Sequence, residues 1–198
     1  MNMSFEFNLS GKYFTALGSG ALWWAERRLL CVSDLHLGKS ERVARRGGAI
    51  LPPYETHDTL GRLAQDLQDY PVETVVCLGD SFDDVAAGRS LPSSIRDWVA
   101  QLQNQREWVW IQGNHDPVPM DMGGMCLPEV SIGPITFRHI AVAGASAEVS
   151  GHYHPKASLR LGKHTISRPA FLIDGNRVIM PAYGTYTGGL RSSSPVLQ

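Results

Sequence analysis

Five short clusters hold most of the residues in this chain that could do chemistry: Asp34-Leu-His36, Gly79-Asp80, Gly113-Asn-His-Asp116, His139 and Gly151-His-Tyr-His154. Carboxylate, imidazole and amide oxygen suit Mn, Fe, Zn or Mg, and no cysteine pair stands at thiolate-site spacing. Taken singly, an Asp-x-His or a Gly-Asp is most often a turn or a cap. Five of the seven histidines fall in these clusters, and burying so many polar groups with nothing to bind would be costly. Strand alternation would let Asp34 and His36 face one ion, and His152 and His154 repeat that spacing. Asp80 could bridge two cations about 3.5 to 4 Å apart, Asn114 could offer its carbonyl oxygen, and a hydroxide held between the ions would attack phosphorus in line.

Such a site needs elements that bring distant clusters together. Residues 28–33, 73–78 and 107–112 are apolar, β-branched and aromatic runs of the kind buried strands show, and each leads into one polar cluster. Leu60, Leu63, Ala64 and Leu67 recur at helical spacing downstream of Pro52-Pro53, as do Ile95, Trp98, Val99 and Leu102, with Pro92 expected in a first turn and Ser90 as a cap. From Val130 onward the pattern shifts to short alternating segments, including a hairpin over residues 171–180 turned at Asp174-Gly175-Asn176. A β-α-β half followed by a strand-rich half predicts two sheets face to face with helices outside, the clusters meeting at the strand ends.

Composition bounds the rest. The expectation is one domain over residues 1–190 with a flexible tail over 191–198. A formal charge of −1 removes the global basic excess of a protein that coats nucleic acid. Residues 1–9 lack a secretory pattern and no apolar run approaches the ~20 residues of a membrane span, so a cytoplasmic protein is expected. Cys31, Cys77 and Cys126 read as small buried hydrophobes. Trp23, Trp24, Trp98, Trp108 and Trp110 read as core, and His57 and His164 as surface histidines.

The ordered set resembles the calcineurin-like metallophosphoesterase superfamily. That resemblance implies an α/β fold, a four-layer α/β/β/α sandwich of two mixed sheets flanked by helices. It implies Asp34, His36 and His154 on one metal, Asn114, His139 and His152 on the other, and Asp80 between them. His115 would contact the substrate phosphate and protonate the leaving oxygen as general acid, with Asp116 orienting its imidazole. A narrower resemblance rests on Asp34-Leu-His-Leu-Gly-Lys39, the Pro52-containing loop, Gly151-His-Tyr-His-Pro155 and Met180-Pro-Ala-Tyr-Gly-Thr-Tyr-Thr-Gly-Gly189. These are similar to the DNA ligase-associated metallophosphoesterases, the ligase-associated DNA-damage-response endonucleases. Membership implies a Mn-dependent phosphodiesterase or nuclease acting on single-stranded DNA or DNA ends in repair, with a DNA ligase and a helicase as partners. Hydrolysis of small nucleotides or phosphate esters is the alternative, and a scaffold without turnover is a third reading, opposed by the filled ligand positions.

On the substrate side, Lys39, Arg42, Arg45 and Arg46 follow the first cluster with only Glu41 among them. They are expected either to meet a phosphate backbone, Lys39 foremost, or to form a solvated helix face. Arg138 could brace a phosphate or point outward. Where the family pattern leads one to expect a histidine, the chain reads Gly79-Asp-Ser-Phe-Asp-Asp84. Asp83 or Asp84 would there repel a phosphate unless it faces a metal or an arginine, or would simply start a helix. Tyr183 and Tyr186 are candidates for the mouth of the site.

Overall fold

The computed structural model describes residues 3–48, 51–118 and 121–197; Gln198, the end of the expected tail, lies outside them. Seven strands form the first sheet in chain order: β1 (Ser4–Leu9), β2 (Lys12–Leu17), β3 (Leu22–Trp24), β4 (Leu29–Val32), β5 (Thr74–Leu78), β6 (Glu107–Ile111) and β7 (Met125–Leu127). The first four are antiparallel, and β4 to β7 are parallel. The leading hairpin β1–β2 was not anticipated. Its turn, Ser10-Gly11, has positive φ at both residues, as the twist of a two-residue hairpin demands.

Period-two alternation splits β4, β5 and β6 between two cores. Leu30, Val32, Val75, Cys77, Trp108 and Trp110 pack with Leu60, Leu63 and Leu67 of α2 (Glu55–Asp69) and with Ile95, Val99 and Leu102 of α4 (Ser93–Gln103). Leu29, Cys31, Val76, Leu78, Val109 and Ile111 meet the second sheet through Ile135, Phe137, Val149 and Val178. Burial on both faces is why these strands read as continuous apolar runs. Pro92 is the last extended residue before α4 and does not sit inside its first turn. Ser90 does not cap α4. It closes α3 (Val85–Arg89), its hydroxyl donating to the Ala87 carbonyl.

The second sheet runs β13 (Leu172–Ile173), β14 (Arg177–Ile179), β10 (Glu148–Ser150), β9 (Ile135–Arg138) and β8 (Glu129–Ile132), and is also mixed. β13–β14 is the expected hairpin, with Asp174 Oδ1 accepting from the Asn176 and Arg177 N–H groups. The sandwich is thus the expected one, with its outer layer thin on this side. The α-helices α1 (Lys39–Arg45) to α4 all precede residue 104, and among the described residues only the 3-10 turn Pro195–Leu197 follows. No helix among them is long and apolar enough to cross a membrane. Cys31 and Cys77 are buried free thiols, pushed up by burial, while Cys126 is half-buried.

Candidate active site

The loops after β4, β5, β6, β9 and β10 bring all seven expected ligands to one edge of the sandwich. The local reason differs from strand alternation. β4 ends at Val32 and β10 at Ser150, so Asp34, His36, His152 and His154 lie beyond the strands. Asp34 (φ 53°), His36 (46°), Asp80 (45°), His152 (71°) and His154 (46°) all adopt left-handed backbone. That conformation is uncommon outside glycine and, held by surrounding packing, clusters at functional sites. Left-handed residues at alternate positions curl each loop so that its side chains turn toward the same point. Two glycines let the loops close: a Cβ at Gly113 would lie 2.1 Å from the Asp80 nitrogen, and one at Gly151 would lie 1.8 Å from Ser33 Oγ.

The ligand atoms form two groups. Asp34, His36 and His154 offer atoms all within 4.8 Å of one another, as do Asp80, His139 and His152. His36 Nε2 and His154 Nε2 are 3.4 Å apart, and His154 Nε2 is 3.0 Å from Asp34 Oδ1. At a metal–nitrogen distance of about 2.1 Å, tetrahedral ligands stand about 3.4 Å apart. In the second group His139 Nε2 lies 3.0 Å from Asn114 Oδ1, 3.2 Å from His152 Nδ1 and 3.4 Å from Asp80 Oδ2.

Ring orientation is fixed from behind. His36 Nδ1 donates to Asp83 Oδ1 at 2.8 Å, and His139 Nδ1 to the Leu78 carbonyl at 2.8 Å. In the neutral rings each Nε2 therefore turns a lone pair inward. Asp34 Oδ2 accepts from Ser33 Oγ and the His152 N–H, while its buried Oδ1 has no hydrogen-bond partner among the described residues. Converging lone pairs and an orphaned carboxylate oxygen fit divalent cations and little else. Burial would raise the Asp80 carboxyl, but His139, with the His115 N–H, holds it down to about 2, so it is an anion ready for a metal. Burial lowers His139, yet Asp80 and Asp34 outweigh it and leave that imidazole raised. His152 is lowered by burial and by the charge of His139.

His115 borders the same site. Its ring stands edge-on to His36 at 5.2 Å, with Nε2 4.0 Å from Asp80 Oδ2. The expected Asp116 partnership does not form: His115 Nδ1 donates to the Asp83 carbonyl at 2.7 Å. Asp116 instead accepts the backbone N–H groups of Asp80, Ser81, Phe82 and Gly113 at 2.7 to 3.1 Å. It clamps the loop after β5 to the loop after β6. Burial pushes its carboxyl up to about 6 against the Phe82 N–H, with Asp80 adding repulsion.

The expected phosphate contacts fare less well. Arg138 is bound to Glu129 (3.0 Å) and to buried Glu148 (3.3 Å), so it braces β8, β9 and β10. Arg42 and Lys39 reach Asp83 at 2.8 and 3.5 Å, and Arg45 pairs with Asp84 and Glu41. Asp83, fully buried, thus faces an arginine, a lysine and a ligand histidine, and Asp84 caps α3 through the Ala87 N–H. Tyr183 is buried, its hydroxyl donating to Asp66 at 2.9 Å beneath Arg62, so it does not line the mouth; Tyr186 is exposed. Sequence reasoning missed Ser33 and the Leu78 carbonyl, whose roles carry no signal of residue type.

A calcineurin-like phosphoesterase model matches residues 27–176, and the chain belongs to that family. It is a metal-dependent phosphoesterase. Among solved structures it is similar to the nuclease MPE of Pseudomonas putida, with 27% identity over 98% of this chain and 92% of that one and a TM-score of 0.78. No curated protein matches it.

Proposed function

We propose that the chain is a nuclease that hydrolyses DNA phosphodiesters with two divalent metals, Mn foremost, in the manner of the ligase-associated endonucleases. The observation that carries this reading is the near full-length likeness to a nuclease around a complete donor set. The segment with the narrower resemblance supports it, because Tyr183 and Gly184 donate their N–H groups to the Ser33 and Asp34 carbonyls and strap the first metal loop. On this reading the protein works in the cytoplasm, in DNA-end repair beside a DNA ligase and a helicase.

Asp34, His36 and His154 would hold one metal and Asn114, His139 and His152 the other, with Asp80 between them. Such metals supply a nucleophile from water at neutral pH and neutralise the phosphate. The chain's own groups do the rest. Asp83 and the Leu78 carbonyl fix the ligand rings, and Ser33 holds Asp34. The Asp83 carbonyl accepts from His115 Nδ1 and fixes the ring, leaving Nε2 as the nitrogen that would serve the leaving oxygen as general acid. Asp116 fixes the backbone carrying Asp80 and His115.

The engagement of Lys39 and Arg42 by Asp83 favours a second reading, a small phosphodiester substrate, since the cations that follow the first metal cluster already share a buried carboxylate. The deciding experiment is hydrolysis of bis(p-nitrophenyl) phosphate beside labelled single-stranded DNA, with Mn, with EDTA and with Asp80→Ala. Metal-dependent cleavage of both, lost by a factor of about 10³ or more in the variant, is the expected result. Cleavage of the ester alone would move the assignment to a small-molecule enzyme, and cleavage of neither would end the phosphodiesterase reading.

A further inference from the structure

Just past the ligand His154 the chain leaves both sheets. β11 (Lys156–Leu161) and β12 (His164–Pro169) form a separate two-stranded antiparallel ribbon, turned at Gly162. Nearly every residue of it is exposed, so the ribbon contributes little to the core. Residues 156–169 carry Lys156, Arg160, Lys163 and Arg168 and no Asp or Glu, in a chain whose net charge is −1. Among the described residues none of these four cations forms an ion pair. Lys156 donates to the Thr187 carbonyl at 3.2 Å, while Arg160 and Arg168 make only local bonds within the ribbon, to the Gly162 carbonyl at 3.3 Å and the Ser167 carbonyl at 3.0 Å.

The register sorts the ribbon into two faces. Lys156, Ser158 and Arg160 stand opposite Pro169, Ser167 and Thr165, which makes a face of cations and hydroxyls. Ala157, Leu159 and Leu161 stand opposite Arg168, Ile166 and His164 on the other face, which is mainly apolar and carries Arg168 near its base. Uncompensated cations interspersed with hydroxyl donors are the chemistry that holds phosphodiester oxygens. Six residues at about 3.4 Å each extend about 20 Å, close to six nucleotide steps of one strand. A two-stranded ribbon also fits the major groove of a duplex.

We propose that the β11–β12 ribbon is a DNA-binding arm whose Lys156–Arg160 face, with Lys163 at its tip, grips the phosphate backbone and leads the strand to the metal-facing cluster. The proposal rests on the nuclease reading. It gives the site the free positive charge that the α1 cations do not supply.

The test is steady-state cleavage of labelled DNA by the Mn-loaded protein across a salt series, for wild type, Arg160→Glu, Lys163→Glu and the conservative Arg160→Lys. Arg89→Glu, an equal charge change away from the ribbon, is the control. Each ribbon reversal is expected to raise KM for DNA about 5- to 10-fold and to flatten the salt dependence by about one unit of log–log slope. Arg160→Lys should restore most of the affinity, and Arg89→Glu should stay within about twofold of wild type. Wild-type KM and slope in both ribbon reversals would overturn the proposal while DNA cleavage upheld the nuclease reading. If Leu159→Ser with Leu161→Ser dissolved an oligomer in sedimentation and left KM unchanged, the ribbon would be an interface between copies and the proposal would fall. Hydrolysis of the small ester without DNA cleavage by wild type would remove both.

Discussion

The chain has two basic regions, and they have opposite fates. The α1 region, Lys39, Arg42, Arg45 and Arg46, looks strongly cationic in the sequence, yet Asp83 and Asp84 from the start of α3 reach each of these residues. The ribbon, Lys156 to Arg168, is spread over more residues and pairs with no carboxylate among the described residues. A basic run therefore becomes a patch only when nothing distant in sequence neutralises it, and about 40 residues separate Asp83 from the cations it holds. Near the metals the chain uses its positive charge to build the site, and it leaves free charge on an arm.

The sharpest way to break the contrast is to remove the neutraliser. Asp83 is fully buried and pairs with Arg42 and His36. Asp83→Ala would strand Arg42 and Lys39, half-buried, and free the His36 ring. Breaking a buried pair costs about 3 to 5 kcal/mol; with Arg42 still partly solvated, a loss of about 3 kcal/mol is expected in denaturant unfolding. Losing the group that orients a ligand histidine should weaken metal binding about 10- to 100-fold, read by Mn titration. Unchanged Mn affinity would show that Asp83 serves the α1 cations and not His36.

A smaller effect lies in pH. Burial alone would raise the Asp83 carboxyl above its ordinary 3.8, but the His36 and Arg42 hydrogen bonds and the Lys39 charge hold it well below. A depressed folded value means stabilisation that is complete above the unfolded pKa and is withdrawn as pH falls through the folded one. In metal-free protein the stability advantage of wild type over Asp83→Asn is thus constant near neutrality and narrows below about pH 4. A gap that instead widened with acid would mean that the carboxyl is not the anion of this network.

Why some of this was legible and some not follows from range. The three parallel strands announced themselves because burial on both faces demands unbroken apolar runs, and the ligands because their residue types are rarely buried without a partner. Left-handed backbone at Asp34, His36, His152 and His154 is invisible in residue type, so alternation was credited with what loop curvature does. The family resemblance implied that Asp116 orients His115, yet its carboxylate turns back to four N–H groups. Asp83 lay in view as a departure from pattern, but its role depends on α1 folding over it. The ribbon went unremarked because exposed strands lack the hydrophobic period that betrays buried ones.

The finest test makes the two regions more alike. Asp84 caps α3 and holds Arg45. Asp84→Ala removes both contacts and is expected to cost about 1 kcal/mol, the usual value of an N-cap. Asp84→Asn keeps the capping oxygen while deleting the charge, so its loss of stability should be only a few tenths of a kcal/mol. Both variants release Arg45 and loosen Arg42 and Arg46, turning a neutralised cluster into a second cationic surface. KM for DNA should then fall about two- to threefold, with a steeper salt dependence. Thermal melting and the same salt series read the two effects separately, and an unaltered slope in Asp84→Asn would mean that the α1 face lies off the path of the strand.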